Sequence, residues 1–174
     1  MARVSFVEKD QAHPRVQESY QVAEDQGQRV LSLWKVLAHC PYIGINLQRA
    51  GRSILRGEEL PADLRELALI RIGLLSRAEY EVNSHIPYAQ EAGVSQKKID
   101  ALPDWATSAE FDKKERAVLA YADEIWRDIA VKDETFAKLK EFFNEHQIVE
   151  LTIGIGYYIG LCRLLVALQI ERES

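Results

Sequence analysis

Helix start and stop signals recur along the whole of this chain, and they leave little room for any other secondary structure. Pro61 stands where the first turn of a helix tolerates it, and Gly93 stands where a helix ends. Ser76 with Glu79, and Asp112 with Glu115, have the spacing of capping boxes. Between these marks the apolar residues keep helical spacing, and no useful run alternates apolar with polar as a strand requires. The expected fold class is therefore all-α. The expected helices cover about 14–24, 28–38, 42–56, 61–75, 77–92, 95–102, 113–128, 134–144 and 147–170. At 174 residues one domain is expected. Residues 1–27 read as an N-terminal arm or short helix and 28–174 as a single helical domain. The segments Glu66–Gly73 and Glu150–Gly156 resemble each other, each a glutamate leading an apolar helix. That suggests two related helical hairpins.

Composition narrows the function classes. The formal net charge is -5, the pI is about 5.5 and the basic residues are scattered among acids. Neither a nucleic-acid partner nor an anionic membrane surface is expected, since both need clustered Lys and Arg. The two cysteines, Cys40 and Cys162, form no CxxC pair and no metal-ligand spacing. A reducing, cytoplasmic setting is expected, and the charged N-terminal residues do not read as a signal peptide. The most apolar stretch, Ile148–Ile170, contains Glu150 and Arg163. Its glycines Gly154, Gly156 and Gly160 suit close packing, so a core helix is expected there rather than a membrane span.

Three residues carry the chemistry. Glu81 and His85 lie four apart, hence one turn apart on one helical face. A carboxylate there can orient an imidazole, fix its tautomer and raise its pKa. Glu66 lies on the preceding apolar helix, where a charge is costly without a partner. Two carboxylates around one imidazole would titrate as a coupled set. Pro87 removes a helical hydrogen bond beside His85, an irregularity that often marks a site. Each residue also has an ordinary reading: His85 as a core histidine, Glu81 as a solvated helix partner, Glu66 as a surface acid paired with Arg65 or Arg71. Arg71 is a candidate for a substrate carboxylate, with a structural pair to Glu66 as the alternative. Tyr88, His39 and Trp34 are candidate pocket residues, with packing as theirs. No metal site is expected, because no HExxH or similar pattern occurs.

These residues resemble a known family. Leu60, Pro61 and Glu66-Leu67-Ala68-Leu69 are followed by Tyr80, Glu81, His85, Pro87, Ala89 and Gly93-Val94-Ser95. Together they look like the carboxymuconolactone decarboxylase family, which includes the alkyl hydroperoxidase D branch. His39-Cys40-Pro41, the run from Asp112 to Ala117, and the run from Ile148 to Arg163 also fit. The resemblance implies an alkyl hydroperoxidase D-like helical bundle, homo-oligomers (trimers or hexamers), and a proton-relay site containing Glu66 and His85. The peroxidase branch carries a CxxC pair where this chain has Ala78 and Glu81. A dithiol peroxidase needs both sulfurs, so that activity is not expected. The decarboxylase side needs no cofactor and protonates a dienolate after loss of CO2 from a carboxylated lactone. The resemblance thus implies a cofactor-free acid–base enzyme on a small carboxylated or lactone-type molecule, with His85 as general acid/base, Glu81 orienting it and Glu66 either as second proton carrier or as holding the imidazole from the other side. A non-catalytic binding or assembly protein on the same scaffold is the remaining alternative.

Overall fold

The computed structural model describes residues 2–172. Among them it contains helices and no strand. The helices are α1 (Pro14–Asp25), α2 (Ser32–Leu37), α3 (Pro41–Arg56), α4 (Ala62–Leu75), α5 (Glu79–Glu91), α6 (Gln96–Ala101), α7 (Lys113–Asp128), α8 (Asp133–Lys140) and α9 (Glu145–Leu168). A short 3₁₀ turn, Leu102–Asp104, follows α6. The expected all-α class is what the chain adopts.

Close packing groups the chain into two units. One takes residues up to Arg56 together with those from Leu165; the other is Gly57–Leu164. The sequence reading placed its boundary after residue 27 instead. In the first unit, Val16 and Tyr20 of α1 are buried with Ala12 and Ala38 against Val7, Val30, Trp34 and Ile45. The Tyr20 hydroxyl donates to the carbonyls of Val7 and Trp34. Residues before 28 thus include the short helix α1, packed into this core.

The second unit is organised around α4. Every residue from Leu64 to Gly73 is buried, including three charged ones. A helix apolar on all sides has no solvent face and must be enclosed; α5 and α7 pack against it. Gly73 sets how closely α5 approaches. A methyl group there would lie 2.9 Å from Val82 Cγ2, 3.3 Å from the Val82 nitrogen and 3.6 Å from Glu81 Cβ. The missing side chain is thus what lets α5 carry Glu81 up to α4. Gly73→Ala is expected to destabilise the protein by about 1–3 kcal/mol, because α5 must shift or Val82 must leave its rotamer. Thermal denaturation of the variant checks this, and an unchanged melting temperature would contradict the close approach.

Several local expectations need correction. The helix expected from residue 28 starts at Ser32, after an extended Leu31. Ser76 does not open a capping box. It terminates α4, and its Oγ accepts from Trp126 Nε1 at 2.9 Å. Ala78 precedes α5 with no side-chain cap, after Arg77 at φ 55°. The helix expected over 134–144 runs from Asp133 to Lys140 as α8. The Asp112–Glu115 box does form, with both reciprocal bonds present. By length and composition α9 could cross a membrane. It also buries Leu151, Ile155, Tyr158, Leu161, Cys162 and Leu165 within the protein.

Candidate active site

α4 and α5 bring Glu66, Glu81 and His85 together inside the second unit, and none of the three is appreciably exposed. Glu66, at 0% exposure, is held at both oxygens. Its Oε1 accepts from Arg65 Nε at 3.1 Å, and its Oε2 lies 2.6 Å from His85 Nδ1. The other ring nitrogen, Nε2, is 3.2 Å from Glu81 Oε2. Two cations and two carboxylates thus alternate in the order Arg65, Glu66, His85, Glu81. The alternation lets charges survive burial, since each is offset by a neighbour at hydrogen-bond distance.

The imidazole is tuned by this arrangement. Burial opposes its charge, but the hydrogen bonds to Glu66 and Glu81 and the charges of both acids prevail. The pKa of His85 rises from 6.5 to about 9. At neutral pH the ring is an imidazolium whose two N–H groups both point at carboxylates. Glu66 is the fixed end of the row. Glu81, tied to the ring through Oε2, is the other end.

Aromatic rings complete the surroundings. The Tyr158 ring, from α9, meets the His85 ring edge-on, with centroids 4.8 Å apart and planes at 86°. Tyr157 packs on Tyr158 in a similar T-shaped contact at 5.2 Å. Tyr88 lies 6.0 Å from His85 and is 49% exposed. Of the candidate pocket residues, Tyr88 is the one seen next to the imidazole.

Arg71 is corrected. It does not pair with Glu66; Arg65 does. Arg71 grips Asp123 of α7 with two bonds, Nε to Oδ1 at 2.7 Å and Nη2 to Oδ2 at 2.8 Å. Its Nη1 donates to the carbonyls of Leu102 and Pro103, each at 3.1 Å. A buried guanidinium engaged in this way ties α4 to α7 and to the 3₁₀ turn, and it is not poised for a substrate carboxylate. His39 and Trp34 belong to the first unit. There His39 Nε2 hydrogen-bonds the Ser5 carbonyl at 2.9 Å, and the Trp34 carbonyl accepts from Tyr20.

Glu150 was read as the counterpart of Glu66, yet it does something different. Its carboxylate accepts from the backbone N–H groups of Glu58, Glu59 and Leu60, at 2.8, 3.0 and 2.9 Å. Burial opposes its ionisation, but these donors hold its pKa below the usual value. It fastens the loop before α4. Both cysteines are free thiols, Cys40 exposed and Cys162 buried. Burial, aided by the Glu81 charge, pushes the Cys162 thiol up to about 12, which makes it a poor nucleophile at neutral pH. No group of three or more potential metal ligands occurs among the described residues.

Sequence reasoning passed over Tyr158 and Arg65 as parts of this site. Tyr158 carried one signal: it shares the buried stripe Leu151, Ile155, Tyr158, Cys162 on α9, but the stripe does not say which helix it faces. Arg65 was named only as a surface partner for Glu66.

Comparison with known proteins agrees with this architecture. Residues 45–124, which contain Glu66, Glu81 and His85, match the carboxymuconolactone decarboxylase family. The uncharacterized protein YdfG of Bacillus subtilis (strain 168) is 24% identical over 106 residues, covering 60% of this chain and 72% of YdfG. The alkylhydroperoxidase AhpD core of a peroxidase-related protein from Ralstonia eutropha JMP134 superposes with a TM-score of 0.87 at 15% identity, over 99% of this chain and 93% of that one. A cysteine-to-alanine variant of the debrominase Bmp8, in complex with 2,3,4-tribromopyrrole, superposes with a TM-score of 0.81 at 18% identity, over 100% and 95% of the two chains. At such identities the structural likeness is one of fold. Across the helices that hold the buried acids and imidazole the chain is thus similar to the carboxymuconolactone decarboxylase family, and its fold is that of the alkylhydroperoxidase D-like structures.

Proposed function

We propose that the chain is a cofactor-free acid–base enzyme of decarboxylase or lyase type, acting on a small carboxylated or lactone-type molecule. The observation that carries this reading is the buried row Glu66, His85, Glu81, with contacts of 2.6 and 3.2 Å to the two ring nitrogens. The roles follow from the occupied nitrogens. Glu66 holds the ring and balances its charge. His85 stores the proton. Glu81, at the end of the row away from Arg65, is the group that hands the proton to the substrate. In a decarboxylation the C–CO2 bond breaks and its electron pair enters a dienolate conjugated with the lactone carbonyl. CO2 leaves, the relay protonates carbon, and solvent restores the relay.

Thiol chemistry is poorly supported. Ala78 and Glu81 occupy the dithiol positions, and the Cys162 thiol is held protonated. The reading further proposes a small molecule as the partner, the cytoplasm as the compartment and a homo-oligomer, trimer or hexamer, as the working form. The exposed Val149 and Ile153 on α9 support assembly.

The test is a panel of carboxylated lactones and β-keto acids, followed by CO2 release and ultraviolet absorbance together. Alkyl hydroperoxide with a dithiol reductant and 2,3,4-tribromopyrrole serve as contrasting arms. Turnover of a panel member is expected to fall about 10²–10⁴-fold in Glu81→Gln and His85→Ala, and to be unchanged in Cys40→Ser and Cys162→Ser. Hydroperoxide consumption abolished by either serine variant would overturn the proposal.

A further inference from the structure

We infer that the cleft between α7, α8 and the loop after the 3₁₀ turn is a second small-molecule site, and that it takes a flat aromatic carboxylate. The inference stands apart from the acid–base reading, since none of Glu66, His85 and Glu81 lines this cleft.

The cleft has a volume of about 390 Å³, which is in the range of small-ligand sites. Residue size gives it its shape. On α7 it is lined by Ala117 and Ala120, whose side chains are a single carbon, and beyond them by the rings of Trp105 and Phe142. Trp105, Ala120 and Phe142 are only half-buried. Two aromatic walls over a floor of small residues leave apolar surface in water, and a flat apolar guest would cover it.

Hydrogen bonds hold these walls in place. The Trp105 indole N–H donates to Asp123 at 3.3 Å, and Asp123 is itself gripped by Arg71. With its one polar group engaged there, the Trp105 side chain offers a guest only apolar ring. Arg116 donates to the carbonyls of Trp105, Ala106 and Phe111 at 3.3, 3.1 and 3.0 Å, and to that of Ser108. That fixes the loop against α7. On the other wall Thr135 of α8 donates to Glu124 of α7 at 2.8 Å. A frame fastened on both sides is ordered before a guest arrives, so binding costs little further ordering.

Charge decides what kind of guest fits. Lys113, Arg116 and Lys138 line the cleft against one carboxylate, that of Glu141. This is a local positive excess in a chain of net charge -5. Lys138 is paired with Glu134 at 2.7 Å and also feels the charge of Glu141. Arg116 differs, because its hydrogen bonds go to carbonyls, which satisfy the N–H groups but bring no negative charge. Lys113 stands three residues before Arg116, on the same face of α7. Positive charge is thus concentrated at the Lys113–Arg116 end, beside the aromatic walls. An inorganic anion would leave the walls wet, and a neutral arene would leave the cations unmatched. An aromatic carboxylate satisfies both, with its ring against Trp105 and Phe142 and its carboxylate toward Lys113 and Arg116.

The probe is 2-naphthoate, titrated calorimetrically into the full chain, with the neutral 2-naphthamide run beside it. Wild type is expected to bind naphthoate about 10-fold more tightly than the amide, the combined effect of two partly exposed cations. Lys113→Gln alters one exposed side chain; it should weaken naphthoate about 3–5-fold and leave the amide unchanged. Ala120→Leu fills the hollow and should abolish binding of both, with folding checked by its melting temperature. His85→Gln should bind naphthoate as wild type does. Absence of naphthoate binding to wild type overturns the site, and so does equal binding of naphthoate and amide. Binding that survives in a folded Ala120→Leu, or that is lost in His85→Gln, would put the ligand elsewhere and overturn it too. Naphthoate affinity unmoved by Lys113→Gln removes the charge argument and with it the carboxylate. An affinity that weakens as protein concentration rises would make a second copy of the chain the occupant instead.

Discussion

Replacing Arg71 with alanine is expected to destabilise the protein by about 3–5 kcal/mol, the cost of stranding one partner of a buried ion pair. Three elements depend on this side chain. Asp123 on α7 would lose two bonds of 2.7 and 2.8 Å, and the carbonyls of Leu102 and Pro103 would lose their donor. Asp123 would be left with Trp105 Nε1 at 3.3 Å and the exposed Arg127 at 3.6 Å, neither of which replaces a bidentate guanidinium. Arg71→Lys should fall between wild type and alanine, because an ammonium keeps the charge but not the fork. The double variant Arg71→Met with Asp123→Leu should recover much of the loss, since an apolar pair leaves no charge behind. Urea denaturation midpoints of the four proteins check the series. A variant of wild-type stability that merely raises KM for an anionic substrate would return Arg71 to the substrate-binding role that its sequence position suggested.

The second large effect is on stability as a function of pH. In the unfolded chain His85 titrates near 6.5, and in the folded protein near 9. A raised folded pKa means that the folded state binds the proton more tightly. The stabilisation is fully present below pH 6.5 and is lost as pH rises through about 9. The linked loss is on the order of 3 kcal/mol across that window. The window lies above the range in which ordinary histidines and carboxylates titrate, so the effect is separable from acid denaturation. Chemical denaturation at half-unit pH steps should show stability declining between these limits in wild type. The decline should be absent in His85→Gln. A flat profile in wild type would mean that the ring is not held as an imidazolium between Glu66 and Glu81.

Much of this architecture could be read from local rules. Helix propensity, the glycine after α5 and the Asp112–Glu115 box act over a few residues, so the chain's order alone reveals them. The failures were local as well. Ser76 and Glu79 had the spacing of a capping box, but the Ser76 hydroxyl accepts from the Trp126 indole, a partner 50 residues away. The α4–α5 pairing of Glu66, Glu81 and His85 was legible because a short connection forces two helices to lie side by side.

By itself, the sequence determined the all-α class, the placing of two acids and an imidazole on neighbouring helices, and the absence of a dithiol pair. These follow from spacing and residue type, which need no knowledge of distant contacts. Only the tertiary structure decided that Arg65 rather than Arg71 neutralises Glu66, that Arg71 belongs to Asp123, and that Tyr158 stands against His85. The physical reason is that burial and charge pairing depend on which faces of remote helices meet. The glycine at position 73 lets α5 come within contact of α4, which brings Glu81 close to that helix.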